Sequence, residues 1–171
     1  MKKNPTKQLA KLKRGDMDAM NFFYNRFYAF ICTFLLHLTS DETAALNLSN
    51  STFEKVLRNC KEIENEQDLF ALLCRTATRL FRQSIEGPDD GSEPPDESPE
   101  YHQIMIQVFR GLSPRRKTVM EMLHIRGLTI KDIAKALDIT EQTVRNHLSE
   151  SLGFLLNQTS CGEGHLAPLF E

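Results

Sequence analysis

The sequence contains no long hydrophobic run, which excludes a membrane-spanning helix. A span needs roughly 18 apolar residues, and the richest stretch, Phe30 to Leu38, is interrupted by Thr33 and His37. We expect this stretch to be a buried helix instead. The amino terminus is basic but has no apolar segment of the kind that signal peptides carry. The sequence therefore predicts a cytoplasmic protein without direct membrane insertion.

The sequence also lacks the residue clusters that catalysis and metal binding need. The cysteines Cys32, Cys60, Cys74 and Cys161 are scattered and form no CxxC pair, and Cys161 with His165 supplies too few ligands for a metal site. No glycine-rich phosphate loop, carboxylate pair or Cys/His constellation is present. We expect no metal, no cofactor and no enzymatic activity.

Charge is strongly segregated, although the formal net charge is only −2. Residues 1–14 contain six basic residues and no acidic one, whereas residues 86–100 contain seven acidic residues and no basic one. Residues 112–152 carry seven basic and five acidic residues. Because the acidic segment dominates the average, the rest of the chain is modestly basic and remains compatible with binding to nucleic acid.

The acidic segment also marks a domain boundary. Residues 86–100 contain four prolines, two glycines and no apolar residue, so they cannot continue a helix or bury surface. This composition predicts a flexible linker. We therefore expect a first helical domain over residues 1–85, a second over residues 101–157, and a flexible tail over residues 158–171.

Apolar residues at helical spacing predict three helices in the first domain. The first starts with Asp16 as its N-cap, the second runs from Ser40 or Asp41 to Leu57, and the third covers about Asp68 to Ser84. No β-type alternation occurs, so the fold class is all-α. The first helix has a broad stripe that we expect to be core, consisting of Met20, Phe23, Tyr24, Phe27, Phe30, Ile31, Phe34, Leu35 and Leu38.

The second domain begins with two predicted helices. Apolar spacing predicts a helix from Tyr101 to Phe109. The next starts at Ser113-Pro114, because serine is a favoured N-cap and proline suits the first helical position. Gly127 ends this helix.

The pattern that follows is typical of a helix-turn-helix. Thr129 and Asp132 fit a capping box at the start of a short helix. Residues 138–140 form a tight turn, and a last helix begins at Glu141 with Thr140 as its cap. The expected inner stripe of that helix is Val144, Leu148, Leu152 and Leu155.

The outer face of the last helix suits DNA better than the plain solvated face of an ordinary bundle. Gln, Arg and Asn can pair with base edges in the major groove, while threonine hydroxyls and helix N-terminal amides can hold phosphates. Glu141 repels phosphate unless it accepts from a cytosine amino group. The predicted DNA-binding residues of this domain are Arg115, Arg116, Lys117, Thr140, Gln142, Thr143, Arg145, Asn146 and Ser149.

Two runs in this domain resemble region 4 of extracytoplasmic-function (ECF) sigma factors. They are LSPRRK from Leu112 and GLTIKDIAKALDITEQTVRNHLSESLGFL from Gly127. The family usually has glycine in the turn where this chain has Asp138, a residue type that tolerates left-handed backbone. The output domain of LuxR-type regulators has a very similar pattern and is the closest alternative.

The first domain favours resemblance to a sigma factor over resemblance to a LuxR-type regulator. The run RGDMDAMNFFYNRFYAFICTFLLHLTSDETAA, residues 14–45, resembles sigma region 2. In that family, region 2 binds core RNA polymerase and melts the minus-ten promoter element, while region 4 reads the minus-thirty-five element. The resemblance therefore implies core RNA polymerase and promoter DNA as partners, together with an inhibitory anti-sigma factor.

Two segments depart from the family pattern. The polymerase-binding positions implied by the resemblance are Leu46, Asn47, Asn50 and Phe53, where the usual acidic residues are absent. The run LLCRTATRLFRQ resembles the promoter-contacting segment but lacks its usual Asn and Asp. Its arginines Arg75, Arg79 and Arg82 line one side of a helix, either as DNA-facing residues or as a solvated face.

The resemblance thus implies a sigma factor of ECF type that directs core polymerase to specific promoters. Two alternatives remain open. One is a stand-alone, dimeric LuxR-like regulator, which the missing acidic residues in the second helix favour. The other is a degenerate sigma-like adaptor that binds polymerase or an anti-sigma factor without starting transcription.

Overall fold

The described part of the chain is built from helices and the short turns between them. A computed structural model describes residues 3–87 and 99–160, and every regular element in these two ranges is a helix. These two ranges belong to two separate compact units. The prediction of an all-α fold is confirmed. No helix within the described ranges combines the length and apolar character needed to cross a membrane.

Four helices build the described part of the first unit. They are α1 (Pro5–Leu12), α2 (Met17–Thr39), α3 (Glu42–Arg58) and α4 (Glu66–Glu86). Helix α2 packs against each of the other three, and α3 also packs against α4. The long α2 is therefore the central element around which this unit forms its core.

Aromatic side chains fill that core. Phe23, Phe27, Phe30 and Phe34 of α2 are all 0% exposed. Phe30 meets Phe70 of α4 edge to face, with ring centroids 4.9 Å apart, an arrangement that adds favourable ring electrostatics to apolar burial. The prediction that the phenylalanines of this stripe are core residues is confirmed.

Helix α1 precedes Asp16, where the sequence analysis places the first helix, so that prediction misses one element. The Asn4 side chain accepts a first-turn backbone N–H at 2.9 Å, and Pro5 occupies the first helical position. Leu9 and Leu12 are buried, with 4% and 1% of their surfaces exposed. Two leucines are too few to give a visible stripe, and a helix this short depends on its packing against α2 and α4.

Capping side chains determine where α2, α3 and α4 begin. The carboxylates of Asp16 and Asp41 cap α2 and α3, as expected. The third predicted helix starts earlier than the expected Asp68. The Asn65 side chain accepts the Asp68 N–H at 2.9 Å, so α4 begins at Glu66. Asparagine and aspartate are equally good caps, which is why the sequence left this boundary ambiguous.

The second unit contains α5 (Pro99–Val108), a 3-10 helix (Phe109–Gly111), α6 (Pro114–His124), α7 (Ile130–Leu137) and α8 (Glu141–Ser160). Helix α8 packs against both α6 and α7, and α5 packs against α6. This packing fixes the two carboxyl-terminal helices relative to each other.

The predicted linker falls mostly outside the described residues. Of residues 86–100, Glu86 is the last residue of α4 and Pro99 the first of α5. Residues 88–98 lie outside the described ranges. The proposed flexibility of this segment therefore stays a prediction.

The predicted tail, residues 158–171, begins too early. Helix α8 continues to Ser160, and residues 161–171 lie outside the described part. No proline or glycine occurs between Gly153 and Ser160 to end the helix. The last turns of α8 therefore form from residues that the composition alone assigns to a tail.

The cysteines within the described ranges act as small apolar residues. Cys32, Cys60 and Cys74 are all free and buried. Burial raises the pKa of the Cys74 thiol and that of the Cys60 thiol, so both stay protonated and unreactive near neutral pH. Cys161 lies outside the described residues.

Candidate nucleic-acid interface

Helices α7 and α8 are joined by a tight turn whose geometry is fixed by capping side chains. At the start of α7, the Asp132 N–H donates to Thr129 Oγ1 at 3.1 Å, and the Thr129 N–H donates to the Asp132 carboxylate at 3.4 Å. Asp138 follows α7 with left-handed backbone, φ 55° and ψ 48°. Thr140 Oγ1 then accepts the Thr143 N–H at 3.1 Å. The predicted capping box and turn are confirmed.

The left-handed Asp138 gives a test of this turn. We expect Asp138→Ala to be about 1 kcal/mol less stable than Asp138→Gly, because an ordinary Cβ crowds the following carbonyl in this conformation. Asp138→Gly should be close to the native chain in stability. Amide hydrogen exchange in α7 and α8 measures this local stability. Equal protection in the two variants would contradict a left-handed residue at this position.

The inner face of α8 holds the helix against α6 and α7. This face consists of apolar residues that are at most 1% exposed, namely Val144, Leu148, Leu152 and Leu155. An ion pair between Arg116 of α6 and Glu150 of α8, with Nη2 and Oε2 2.6 Å apart, adds a polar link. Because the inner side is fixed, the opposite side of α8 is a rigid surface.

That outer face carries polar side chains over the first turns of α8. Gln142, Arg145, Asn146 and Ser149 are exposed. Gln142 Nε2 donates to Asn146 Oδ1 at 3.0 Å, and Arg145 Nη2 lies 3.4 Å from a Glu141 carboxylate oxygen. Exposed pairs of this kind contribute at most about 1 kcal/mol. A ligand that offers better partners can therefore replace them at little cost.

The chemistry of this face matches the edges of base pairs. A guanidinium such as that of Arg145 can donate two hydrogen bonds to guanine, and the amides of Gln142 and Asn146 can donate to and accept from adenine. The carboxylate of Glu141 can accept from a cytosine amino group. The major groove is wide enough to admit an α-helix, so this surface is suited to direct contact with bases.

The amino-terminal end of α8 suits phosphate. Thr140 and Thr143 place their Oγ1 atoms 2.8 Å apart at the start of the helix. Thr140 is exposed and Thr143 half-buried. Helix N-termini carry partial positive charge and backbone N–H groups that lack intrahelical partners. A phosphate oxygen is the kind of ligand that such an end binds.

The start of α6 contributes three further cations of unequal accessibility. Arg115 is exposed, whereas Arg116 and Lys117 are half-buried. Ser113 stands at the predicted N-cap position but makes no side-chain capping hydrogen bond. Arg116 is engaged by Glu150, a residue 34 positions away. Sequence spacing gives no sign of such a distant partner, so the structural role of Glu150 was missed.

The predicted arginines of the first unit lie together along α4. Arg79 is exposed, while Arg75 and Arg82 are half-buried. Arg82 Nη2 lies 3.8 Å from a Glu86 carboxylate oxygen. Arg79 is therefore the most accessible of the three to a ligand.

The predicted polymerase-binding residues on α3 are divided by burial. Leu46 is 39% exposed, and Asn47 and Asn50 are also exposed. Phe53 is only 2% exposed and packs edge to face on Tyr24, with ring centroids 5.0 Å apart. Most of its ring therefore belongs to the packing between α2 and α3, and its role as a polymerase contact stays a prediction.

A groove beside α3 adds residues that sequence spacing did not reveal. The groove has a volume of about 210 Å³, and its lining includes Met20 and Tyr24 from α2 together with Asn50 and Leu57 from α3. The Tyr24 hydroxyl donates to Asn50 Oδ1 at 3.2 Å. The exposed polar edge of α3 therefore continues into an aromatic surface contributed by α2.

Residues 102–155 match the protein family described as sigma-70, region 4. The match includes α6, α7 and most of α8, and thus all the predicted DNA-binding residues of the second unit. The chain therefore carries a helix-turn-helix domain of the sigma-70 region 4 kind, a DNA-binding domain of transcription regulators.

The chain is also similar in sequence to a transcriptional activator. The chain is 29% identical over 126 residues to the transcriptional activator protein CarR of Pectobacterium carotovorum subsp. carotovorum. The match covers 70% of this chain and 44% of CarR. The chain thus matches less than half the length of that relative.

Proposed function

We propose that this chain is a sigma factor of ECF type, which binds core RNA polymerase and directs it to specific promoters. The observation that carries the proposal is the sigma-70 region 4 match over residues 102–155. In the same residues, the outer face of α8 exposes Gln142, Arg145 and Asn146, which are suited to base edges. In this proposal α8 reads the minus-thirty-five element, while Thr140, Thr143 and the cations of α6 hold phosphates.

The first unit would supply the other two functions of a sigma factor. Leu46, Asn47 and Asn50 form an exposed edge on α3 that can contact core polymerase, and the adjoining groove gives that edge an apolar component. Arg79, with its neighbours on α4, can face promoter DNA near the minus-ten element. The factor would act in the cytoplasm, where an anti-sigma factor would hold it inactive.

A stand-alone, dimeric regulator is the second candidate. The relative CarR is named a transcriptional activator, and α3 lacks the acidic residues usual at the polymerase contact of ECF factors. Such a regulator would bind two-fold symmetric DNA without polymerase, because each copy reads one half-site. A degenerate adaptor would instead bind polymerase without initiating transcription.

Polymerase binding tests the proposal at α3. We expect Leu46→Lys to weaken binding to core RNA polymerase by about 30-fold, because a cation at the centre of an interface loses its hydration, and central interface residues typically carry about 2 kcal/mol. Leu46 is already 39% exposed, so the fold should tolerate the change. Biolayer interferometry with immobilised core enzyme measures the affinity.

The matched control is Ile85→Lys, which places the same charge at another exposed apolar position of the first unit (66% exposed). This variant should bind polymerase like the native chain. An equal loss in both variants, or no loss in either, would contradict a polymerase contact at α3. Absence of binding by the folded native chain, together with dimeric binding to symmetric DNA, would favour the second candidate.

A further inference from the structure

Helix α1 is fixed to the body of the first unit by one face. Gln8, Leu9 and Leu12 are buried, with 8%, 4% and 1% of their surfaces exposed, and α1 packs against α2 and α4. Its apolar side is therefore already used within the fold. Only its polar side is available to a partner.

The charged residues on that side are all cations. The side chains of Lys3, Lys7, Lys11, Lys13 and Arg14 are exposed. None of them forms an ion pair with another residue of the described ranges. No acidic residue occurs among residues 1–15. These cations therefore lose no ion pair within the described structure when they bind an external anion.

The nearest carboxylates in the sequence do not neutralise this surface. Asp16 accepts the Ala19 N–H at 2.9 Å as the cap of α2, and Asp18 follows in the first turn of α2. Counting residues 3–18, five cations stand against these two acids. The surface therefore keeps an excess of positive charge.

The cations are spaced along the helix at intervals that suit a row of charges. Lys7 and Lys11 are one turn apart on α1, about 6 Å along the helix axis, and Lys3, Lys13 and Arg14 lie just beyond its two ends.

We propose that α1 and the turn after it form a second nucleic-acid site, which binds backbone phosphates without reading sequence. Lysine and arginine contacts to phosphate supply most sequence-independent affinity for DNA. An anionic membrane is the weaker alternative, because helices that bind membranes insert an apolar face, and here that face is buried against α2 and α4. The site goes beyond the proposed function, since it would serve a sigma factor or a stand-alone regulator equally.

The salt dependence of DNA binding tests the α1 site directly. In the full-length chain, the double variant Lys7→Gln/Lys11→Gln should bind a random-sequence DNA duplex with a salt slope smaller by about 1.8, because each lost phosphate contact removes about 0.9 from the slope of log K against log salt. Between about 50 and 200 mM salt, the variant should lose about tenfold less affinity than the native chain. Fluorescence anisotropy with a labelled duplex gives both values.

The control removes the same charge elsewhere in the first unit. Lys55→Gln/Arg58→Gln changes two exposed cations of α3 and should leave the slope unchanged. Equal slopes for the native chain and the α1 variant would overturn the site. It would also be overturned if the α1 variant lost binding only to phosphatidylserine-containing vesicles and kept native DNA binding.

The test is independent of base recognition by α8. Arg145→Ala should reduce discrimination between sequences while the contribution of α1 to the slope persists. A chain that fails to discriminate sequences can therefore still show the α1 effect, and the reverse also holds. Failure of this site and failure of the proposed function are thus distinguishable.

Discussion

Replacing Arg145 with alanine should reduce the preference of the chain for its own DNA site over random DNA by about 5- to 150-fold. A good side-chain pair with a base edge contributes about 1–3 kcal/mol of discrimination. The side chain is 52% exposed, and its pairing with Glu141 is a weak surface contact. The measurement is competition anisotropy between random duplex and a duplex selected from a randomised pool by the native chain.

Two further variants separate hydrogen bonding to bases from the general attraction of a positive charge to DNA. Arg145→Lys keeps the positive charge but loses the planar fork that makes two parallel hydrogen bonds, so it should lose most of the discrimination while keeping the salt slope. Arg110→Ala removes an exposed arginine outside α8 and should leave discrimination unchanged. An Arg145→Ala variant whose affinity falls by the same factor for selected and random duplexes, so that its preference is unchanged, would identify a phosphate contact instead.

Replacing Phe30 with alanine should destabilise the first unit by about 3–5 kcal/mol, the range typical of removing a fully buried phenylalanine. Phe30 is 0% exposed and packs against Phe70 and Phe34, so the lost ring leaves a cavity between α2 and α4. Because small domains are only marginally stable, this loss approaches the whole stability of the unit. Amide hydrogen exchange in α2 and α4 reports the change.

The control for this variant is Phe22→Ala on the same helix. Because Phe22 is only half-buried, this substitution should cost much less stability. In the Phe30→Ala variant, the amides of α7 and α8 should keep their native protection, because they belong to the second unit. Polymerase binding should be lost while recognition of selected DNA persists. Simultaneous loss of protection in both units would contradict their independence.

Much of the fold follows from local patterns that the sequence displays. The phenylalanines of α2 recur at helical spacing, and the caps Asp16, Asp41 and Thr129 are strong start signals. These features depend on residues close in sequence, so they were predicted correctly. Helix α1 was missed because its stability depends on burial of Leu9 and Leu12 against helices that are distant in sequence.

The candidate interface could be predicted only in part, for the same physical reason. The outer face of α8 follows from its helical period and the buried stripe that begins at Val144. The pairing of Arg116 with Glu150 and the burial of Phe53 both depend on contacts between helices. Sequence spacing specifies which side of a helix a residue occupies, but not what packs against that side.

The most direct test of the central proposal is run-off transcription with core RNA polymerase, using the DNA upstream of the gene for this chain as the template. We expect the chain to co-purify with core enzyme and a discrete transcript to appear only when the chain is added. Arg145→Ala should reduce the transcript without preventing co-purification, and Leu46→Lys should weaken both. A folded native chain that neither binds core enzyme nor starts a transcript would contradict the proposal.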